Sequence, residues 1–477
     1  MGTCGMLALI GLAISGPVHA QSATGTDAKI TALEKQLAAM QQELHSLQKQ
    51  AAAKPKPAAE RASVPIKAAA AGPGITVKMP NNRPTFCTSD NLNCLAITSR
   101  LHFDVANHDY RPNSAATLPQ QAQNGVNARR ARLGVLGTYD GAWDYGLIFD
   151  LGGSQDNIGV INTAPLTYKG IKGLYIEGGY MDMPYTLDEQ VGANNITFLE
   201  RASPQVVAAN IAGGIRSGFG ARSNGDWWWL GSYVTGPNAP AGGFDHRLRS
   251  PLGMFARGVV TPVNNQYGSL MLGADIQYLF DTGQTAGSPV NSHNLTLSDP
   301  IEVRVDPGTN ALLNTGVLAN VDNVRVLSGE AAAQVGSFYA QGEYFDFNLQ
   351  RTTGLPDLHF WGGYVQASYV LTGEQRRYNP VTASHGPIKP NNPVSWGSNS
   401  WGAWEVAARY SQVRLNDLNV FGGELRNTTV GVNWYVDSNI RFMFDWIHGN
   451  VAKSNATGTT NLGAHYDVFA MRTQIAF

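Results

Sequence analysis

Apolar and polar residues alternate with a period of two in many short segments of the chain after its first quarter. The last segment, 464–477, shows the pattern clearly, because Phe469 and Met471 fall on one side while Arg472 and Gln474 fall on the other. Successive side chains of a β-strand point to opposite faces, so this alternation is typical of strands whose two faces have different surroundings. The pattern predicts a protein built mainly from amphipathic strands.

The alternation predicts about fifteen strands, and an even number is expected in a single-chain barrel, so about one strand is missing from the set. The predicted strands lie near 95–107, 129–140, 142–152, 172–183, 213–223, 226–236, 250–261, 267–281, 300–306 or 322–335, 336–349, 358–372, 401–415, 423–436, 438–450 and 464–477.

Two features favour a membrane barrel over a β-sandwich. Aromatic residues such as Tyr139 and Trp434 cluster near the ends of the apolar faces, where a lipid-facing strand meets the headgroups. Short turns such as 140–141 alternate with long polar connections such as 281–322. We therefore predict an all-β fold, a 16-stranded antiparallel transmembrane β-barrel over residues 75–477, wide enough for an aqueous channel.

The N-terminal part is predicted to be separate from the barrel and to have three segments. Residues 1–20 resemble a signal peptide, with an apolar core followed by a small-x-small cleavage site. Residues 28–50 are predicted to form a periplasmic coiled-coil helix, because apolar residues recur every three and four positions. An isolated amphipathic helix is the alternative. Residues 51–74 are rich in Ala, Pro and Lys and are predicted to be a linker.

Composition limits the classes of partner. The chain has 34 Lys plus Arg against 35 Asp plus Glu, which argues against nucleic acid as the main partner because phosphate binding needs a basic excess. Only 14% of residues are charged, and no apolar run after the N-terminus has the length of a membrane-spanning helix. This composition also fits a soluble sandwich or a β-helix, so it does not decide the fold alone.

The cysteines predict one disulfide and no metal site. Cys4 is expected to leave with the signal peptide, which leaves Cys87 and Cys94. Two cysteines in an exported protein most often pair, since the periplasm is oxidising. There is no second cysteine pair and no nearby histidine pair, so a zinc site is not expected. We expect no cofactor.

Catalytic motifs are also missing from the sequence. It contains no H-E-x-x-H, no G-x-S-x-G and no Walker loop, so we predict that the protein is not an enzyme. An outer-membrane hydrolase is the least favoured alternative. The run WWW at 227–229 could suggest a sugar-stacking platform, but its rings cannot share one face of a strand. We interpret Trp227 and Trp229 as an interface anchor pair.

Four stretches resemble the phosphate-selective porin O/P family. They are RRARLGVLGTYDGAWDYGLIFDL (129–151), IEGGYMDMPYTLDE with ITFLERASP (176–189 and 196–204), GAWEVAARYSQVRLND (402–417) and FAMRTQIAF (469–477). The resemblance implies a trimeric 16-stranded barrel in which one loop folds inward and narrows the pore. It also implies that the region around ITFLERASP contains the inward loop.

Anion selectivity would require arginines or lysines along the pore wall. The same parity argument points several carboxylates inward, including Asp150, Glu405 and Asp445, so the predicted wall is mixed rather than basic. For any single arginine, pairing with a wall carboxylate is the alternative to a role as an anion ligand. The pore-lining and anion-binding candidates are Arg130, Arg132, Arg201, Arg216, Arg222, Arg409 and Arg441.

The expected function is that of an outer-membrane porin, a water-filled channel for passive diffusion of small polar solutes or anions, with phosphate as a candidate. The alternatives are a general, weakly selective porin and a plugged structural or adhesin-like barrel. The expected partners are two further copies in a homotrimer, outer-membrane lipids, the small anions or polar solutes, and the peptidoglycan layer through the N-terminal segment.

Overall fold

A computed structural model of the chain describes residues 74–114, 123–152, 160–211, 214–238, 251–283, 293–305, 312–455 and 457–477, together with Lys35 and Gln42. The predicted signal peptide, and almost all of the predicted coiled-coil helix and linker, lie outside these described residues. None of the helices in the described part has the length and apolar character that crossing a bilayer requires.

The described chain is mostly β-strand, and sixteen long strands form one closed antiparallel barrel. A small hairpin, β1 (Ile75–Lys78) and β2 (Thr85–Thr88), precedes it. The barrel strands and the short strands between them are β3 (Cys94–Pro112), β4 (Gly125–Tyr139), β5 (Trp143–Asp150), β6 (Val160–Ile171), β7 (Leu174–Asp182), β8 (Ile215–Asn224), β9 (Trp228–Asn238), β10 (Leu252–Asn264), β11 (Gly268–Asp281), β12 (Ser298–Asp299), β13 (Leu313–Asn314), β14 (Val321–Val335), β15 (Phe338–Arg351), β16 (Leu358–Val370), β17 (Tyr378–Asn379), β18 (Ser384–His385), β19 (Ala403–Asp417), β20 (Val420–Tyr435), β21 (Ile440–Ala452) and β22 (Ala464–Ala476).

The barrel closes where β22 pairs with β3 in antiparallel register. The terminal residue takes part in this closure. The Phe477 amide donates to the Ser99 carbonyl at 3.0 Å, and the Ser99 amide donates back to the Phe477 carbonyl at 2.9 Å. The hydroxyl of Thr98 adds a third bond to the Phe477 carbonyl at 2.8 Å. No barrel edge is left unpaired at this seam, as a membrane barrel requires.

The predicted strands are confirmed, except that one barrel strand was missed. The structure also decides between the two alternatives given for another strand. The missed strand is β6, whose sequence VINTAPLTYKGI alternates weakly and contains Pro165, a residue that sequence rules place at strand edges. Of the two alternatives for one strand, 322–335 is right and corresponds to β14. The alternative 300–306 is wrong, because its described residues, 300–305, form no barrel strand and belong to a connection that packs inside the barrel.

The two ends of the barrel have different connections. Most of those at one end, the short-turn rim, have only a few residues, such as 140–142, where Asp140 and Gly141 both have positive φ, 50° and 65°. Positive φ at both central positions is what tight hairpins prefer. At the opposite end, the long-loop rim, the connections 183–214 and 282–320 are far longer.

The described residues of three connections fold into the barrel. The first inward loop, 183–214, includes the helices Leu187–Gln190 and Ser203–Ile211. The second inward loop, 282–320, includes β12 and β13, and both loops belong to the long-loop rim. The third connection, 371–402, here called the rim segment, enters from the short-turn rim and includes β17 and β18.

An apolar core forms inside one part of the barrel, between the two inward loops and the wall. Val207 and Ile211 of the helix Ser203–Ile211 belong to it, with Leu313 of the second inward loop and Phe347 and Phe360 of the wall. All five side chains are almost completely buried. The helix contacts β15, β16 and β19 of the wall and β12. The core thus fills much of the lumen on that side.

A disulfide ties the hairpin that precedes the barrel to the first barrel strand. Cys87 and Cys94 lie opposite each other where β2 pairs with β3, and a disulfide bond joins them. The hairpin contacts the short-turn rim through its turn, because the Asn82 side chain donates to the Asn439 side chain at 2.7 Å.

Candidate pore and constriction

A passage along β4–β6 is where the lumen remains accessible. Lumen-facing residues there, such as Thr138, Ile148 and Thr167, keep part of their surface exposed. On the opposite wall, lumen-facing residues such as Glu343 and Arg409 are buried beneath the loops. Solvent and solutes therefore meet mainly the side of the lumen formed by β4–β6 and the loop surface that faces it.

The charged pairs along this passage are asymmetric in exposure. The Arg304 side chain is 38% exposed and that of Glu200 6%, with Nε and Oε2 at 3.8 Å. The Arg129 side chain is 18% exposed, and its Nε lies 2.7 Å from Oε1 of the same glutamate. Arg132 is 17% exposed and Asp150 11%, at 2.7 Å. In each of these three pairs the guanidinium is nearer to solvent than the carboxylate. The Lys169–Asp144 pair is the exception, because the Asp144 side chain is 43% exposed and that of Lys169 31%.

Arg100 adds a further cation to this side of the lumen. It lies directly opposite Arg132 in the β3–β4 register, on the lumen side. Within the described part of the chain Arg100 makes no hydrogen bond and no ion pair. Like charges placed opposite each other on neighbouring strands destabilise a sheet, and here Asp182 and Asp150 lie near enough to offset part of the repulsion.

Arg129 was not among the predicted residues, and a β-bulge explains why. The β3–β4 register shifts between His102 and Asp104, so extra residues of β4 face a single residue of β3. As a result Arg129 and Arg130, although adjacent, both reach Glu200 inside the barrel. Strict alternation would have placed them on opposite faces.

Glu200 of the first inward loop lies at the centre of an arginine cluster. Its carboxylate is within 2.7 Å of Arg129, 3.7 Å of Arg130, 3.8 Å of Arg304 and 2.8 Å of Arg472. Burial opposes ionisation of this carboxyl, but the four positive charges outweigh it and hold the pKa of Glu200 well below its usual range. Glu200 therefore carries its negative charge at neutral pH, beside the arginines of the passage.

Several wall arginines bind the backbone of the first inward loop instead of lining the passage. Arg409 donates to the Glu200 carbonyl at 2.9 Å and pairs with Glu302 of the second inward loop at 2.6 Å. Arg441 donates to the Ile196 carbonyl at 2.8 Å. Arg472 donates to the Leu199 carbonyl. These arginines satisfy carbonyls that folding into the barrel has removed from water.

Wall carboxylates do the same for the amides of this loop. Glu343 accepts hydrogen bonds from the amides of Leu187 and Asp188, at 2.8 and 3.1 Å. Asp445 accepts one from the amide of Leu199 at 2.8 Å. The mixed charge predicted for the wall is present, and in this half of the barrel it anchors the loop.

The other predicted arginines have different surroundings. Arg201, in the first inward loop, is at 3.3 Å from Glu189 and donates to the Asp188 carbonyl at 3.1 Å. Arg216 is buried and donates to the Gly236 carbonyl at 3.3 Å. Arg222 pairs with Glu177 at 3.2 Å. The structure brings Arg130, Arg132 and Arg201 to one region of the lumen and places Arg216, Arg222, Arg409 and Arg441 elsewhere on the wall.

The rim segment fills part of the lumen near the short-turn rim. The carbonyl of Val381 accepts hydrogen bonds from Arg222 at 2.7 Å and from the Trp229 ring at 3.1 Å. Arg257 donates to the Ala383 carbonyl at 2.9 Å. The interpretation of Trp229 as an interface anchor is wrong, because its ring is buried in the lumen against this segment, whereas Trp227 is exposed.

A cavity of about 280 Å³ lies at the short-turn rim and has a basic lining. Arg83 of the N-terminal hairpin, Arg100, Arg376, Lys389 and Arg441 line it, with Asp437 as its acidic residue. Because Arg100 also faces Arg132, this cavity adjoins the arginines of the passage. Across the described residues, no group of histidine, cysteine and acidic side chains is suited to a metal ion.

Sequence comparison identifies the family. The phosphate-selective porin O and P family matches residues 95–477, which is the whole barrel except for the first residue of β3. The chain belongs to this family. It is an outer-membrane porin, and its short-turn rim faces the periplasm, as short turns do in such barrels. Family membership indicates a channel rather than an enzyme.

The porin is similar to Porin O of Pseudomonas aeruginosa, at 28% identity over 73% of this chain and 81% of that protein. Among solved structures it is similar to the anion-selective porin of Comamonas acidovorans, at 12% identity and a TM-score of 0.48, over 81% of this chain and 100% of that one. OmpT of Vibrio cholerae is similar at 10% identity and a TM-score of 0.49, over 81% of this chain and 98% of that one.

Replacing Arg472 by Met should destabilise the porin strongly. The substitution leaves Asp104 without its buried ion-pair partner and removes one of the four arginines around Glu200, which costs on the order of 3–5 kcal/mol. Urea unfolding of the protein in lipid vesicles measures the loss. Arg426→Ala is the control, because Arg426 pairs with Glu424 on the exposed surface, and it should leave the midpoint unchanged. Equal midpoints for the two variants would contradict the anchoring role of Arg472.

Asp299 should make stability depend on pH in the direction opposite to an ordinary paired carboxylate. Burial raises the pKa of Asp299 to about 7, above its unfolded value, so folding favours its protonated form. The contribution of Asp299 to the free energy of unfolding is complete at pH values below the unfolded pKa, and it is lost as the pH rises toward 7. The urea concentration at the unfolding midpoint should therefore decrease as the pH is raised from about 4 to about 7. Asp299→Asn should make that decrease smaller. An unchanged pH profile in the variant would contradict the assignment.

Proposed function

We propose that this porin conducts small oxyanions of the phosphate class through the passage along β4–β6. The exposure asymmetry of the charged pairs carries the proposal. Arg304, Arg129 and Arg132 are each more exposed than the carboxylate they pair with. A channel whose wall is formally mixed in charge can then still be electropositive to a solute. The chain belongs to a family described as phosphate-selective, and this membership also supports conduction of phosphate-like anions.

The chemistry of the passage suits tetrahedral oxyanions. A guanidinium presents several N–H donors in a planar fork, which matches two oxygens of a phosphate group. From the long-loop rim inward, an anion would meet Arg304 and Arg129, then Arg132 with Arg100, and then the basic cavity at the periplasmic end. Because carboxylates stand behind most of these arginines, each site would bind weakly enough for release, as conduction requires.

Two alternatives remain distinguishable from this proposal. A general, weakly selective porin would have the same fold, with arginines whose charge is cancelled by their carboxylates. A plugged barrel is favoured by one observation, the three connections that fill much of the lumen. Measured conductance and ion selectivity separate the three.

We also propose that the porin is a homotrimer whose three N-terminal segments extend into the periplasm. Family resemblance and the heptad repeat predicted at 28–50 support trimer formation, because a short heptad needs other copies close by. The basic linker at 51–74 would suit contact with the anionic peptidoglycan layer.

Arg129→Ala and Arg132→Ala should each reduce phosphate block of the chloride current. A charge-assisted hydrogen bond contributes about 1.5–3 kcal/mol, so the inhibition constant should rise by roughly ten- to a hundredfold. Single-channel recording in planar bilayers measures the ion selectivity in a chloride gradient and the inhibition constant of added phosphate. Arg426→Ala, on the outer surface, is the matched control and should behave like the wild type.

Open channels with weak selectivity and no phosphate block in the wild type would favour the general porin. A wild type without conductance would favour the plugged barrel. Block that is unchanged in both arginine variants would overturn the assignment of these two residues, even if the channel is anion-selective.

Glu200→Gln should make the passage more selective for anions. The substitution removes the negative charge shared by four arginines while an amide oxygen remains to accept hydrogen bonds. We expect a reversal potential shifted toward the chloride potential and longer phosphate blocks. The reversal potential in a chloride gradient is the direct readout. A shift toward cation selectivity would contradict the position of Glu200 beside the conducting path.

A further inference from the structure

A hairpin with two tryptophans projects from the rim segment at residues 394–401. Ser395 and Ser400 close it, because the amide of each donates to the carbonyl of the other, at 3.1 and 3.2 Å. The amide of Val394 donates to the Val436 carbonyl at 2.8 Å and fixes the hairpin to the turn that joins β20 and β21. Trp396 is 80% exposed and Trp401 55%, and their rings lie edge to face at 5.8 Å.

The hairpin continues an aromatic cluster on the outer face of the barrel. The ring nitrogen of Trp434 donates to the Trp401 carbonyl at 2.8 Å. Trp434 in turn stacks on Trp404 at 5.5 Å and on Phe442 at 5.4 Å. These three side chains lie on the lipid-facing side of β19–β21, since their strand neighbours, such as Glu405, point into the lumen. Five aromatic rings thus extend from the wall onto the hairpin.

The position and composition of the hairpin match the membrane interface. Tryptophan has an apolar ring with one hydrogen-bond donor, and it concentrates where headgroups meet acyl chains. Apart from Val394 at its base, the hairpin has only Ser, Gly and Asn beside the two tryptophans, and these residues suit a polar headgroup layer. The inward half of the rim segment binds Arg222, Arg257 and Trp229 in the lumen, whereas this half points outward.

We propose that residues 394–401 are an interfacial anchor that inserts Trp396 and Trp401 among the phospholipid headgroups of the periplasmic leaflet. Its continuity with the lipid-facing rings of Trp404, Trp434 and Phe442 identifies lipid as the occupant. The anchor sets the depth of the barrel wall at β19–β21.

The test places a nitroxide label at Ser398, between the two tryptophans, through Ser398→Cys. Cys87 and Cys94 are joined to each other, so the new thiol is the reactive one in the barrel. The full protein is reconstituted into phosphatidylethanolamine–phosphatidylglycerol vesicles. Power saturation then compares collisions with oxygen, which enters lipid, and with a nickel chelate, which stays in water. The matched control is Ser438→Cys, because Ser438 is at the same rim but lines the basic cavity.

The label at residue 398 should have a higher oxygen-to-nickel ratio than the label at 438. Adding Trp396→Ala and Trp401→Ala should lower the ratio at 398 to that of the control, while the ratio at 438 and the channel conductance stay unchanged. Preserved conductance shows that the variant is folded. Equal ratios at 398 and 438 in the protein with both tryptophans would overturn the proposal. A label at 398 shielded from both reagents would also overturn it, because a second copy or another protein would then cover the hairpin.

Discussion

The backbone of the first inward loop must find hydrogen-bond partners inside a barrel that has taken it away from bulk water, and the rest of the structure depends on this constraint. Each buried carbonyl or amide without a partner would cost free energy comparable to a lost hydrogen bond. The wall supplies the partners. Arg409 and Arg441 donate to loop carbonyls, and Asp445 accepts from a loop amide. The loop is therefore fixed in position, and with it the shape of the passage that remains.

This constraint divides the arginines of the lumen into two groups. One group is buried beneath the loops and is occupied with backbone carbonyls and carboxylates, as Arg409 is. The other group, with Arg129, Arg132 and Arg304, keeps part of its charge accessible to solvent. Arg132 and Arg409 both occupy lumen-facing positions of barrel strands, so the difference between these two comes from the position of the loop. Glu200 links them, because its carbonyl binds Arg409 while its carboxylate faces the arginines of the passage.

Much of the barrel was predictable from sequence, because each strand separates lipid from lumen and this separation is recorded locally as alternation. The prediction failed where local rules are broken by tertiary context. β6 contains a proline and few strongly apolar residues. The bulge in β4 turns Arg129 toward the lumen, although strict alternation would place it on the lipid-facing side. Trp229 resembles an interface anchor in sequence, but the rim segment covers it from within. The inward course of 282–320 and 371–402 depends on contacts between distant residues, which alternation does not record.

The closing seam ties the two ends of the barrel sequence together. Thr98 and Phe477 are separated by 379 positions, yet they share a hydrogen bond. A contact at such separation forms only after nearly the whole chain has become available, and contacts of this kind make folding slow. An unfinished chain would present β3 as an open edge, ready to pair with another strand. β3, the first barrel strand to be synthesised, therefore gains its second neighbour only when β22, the last strand, is complete.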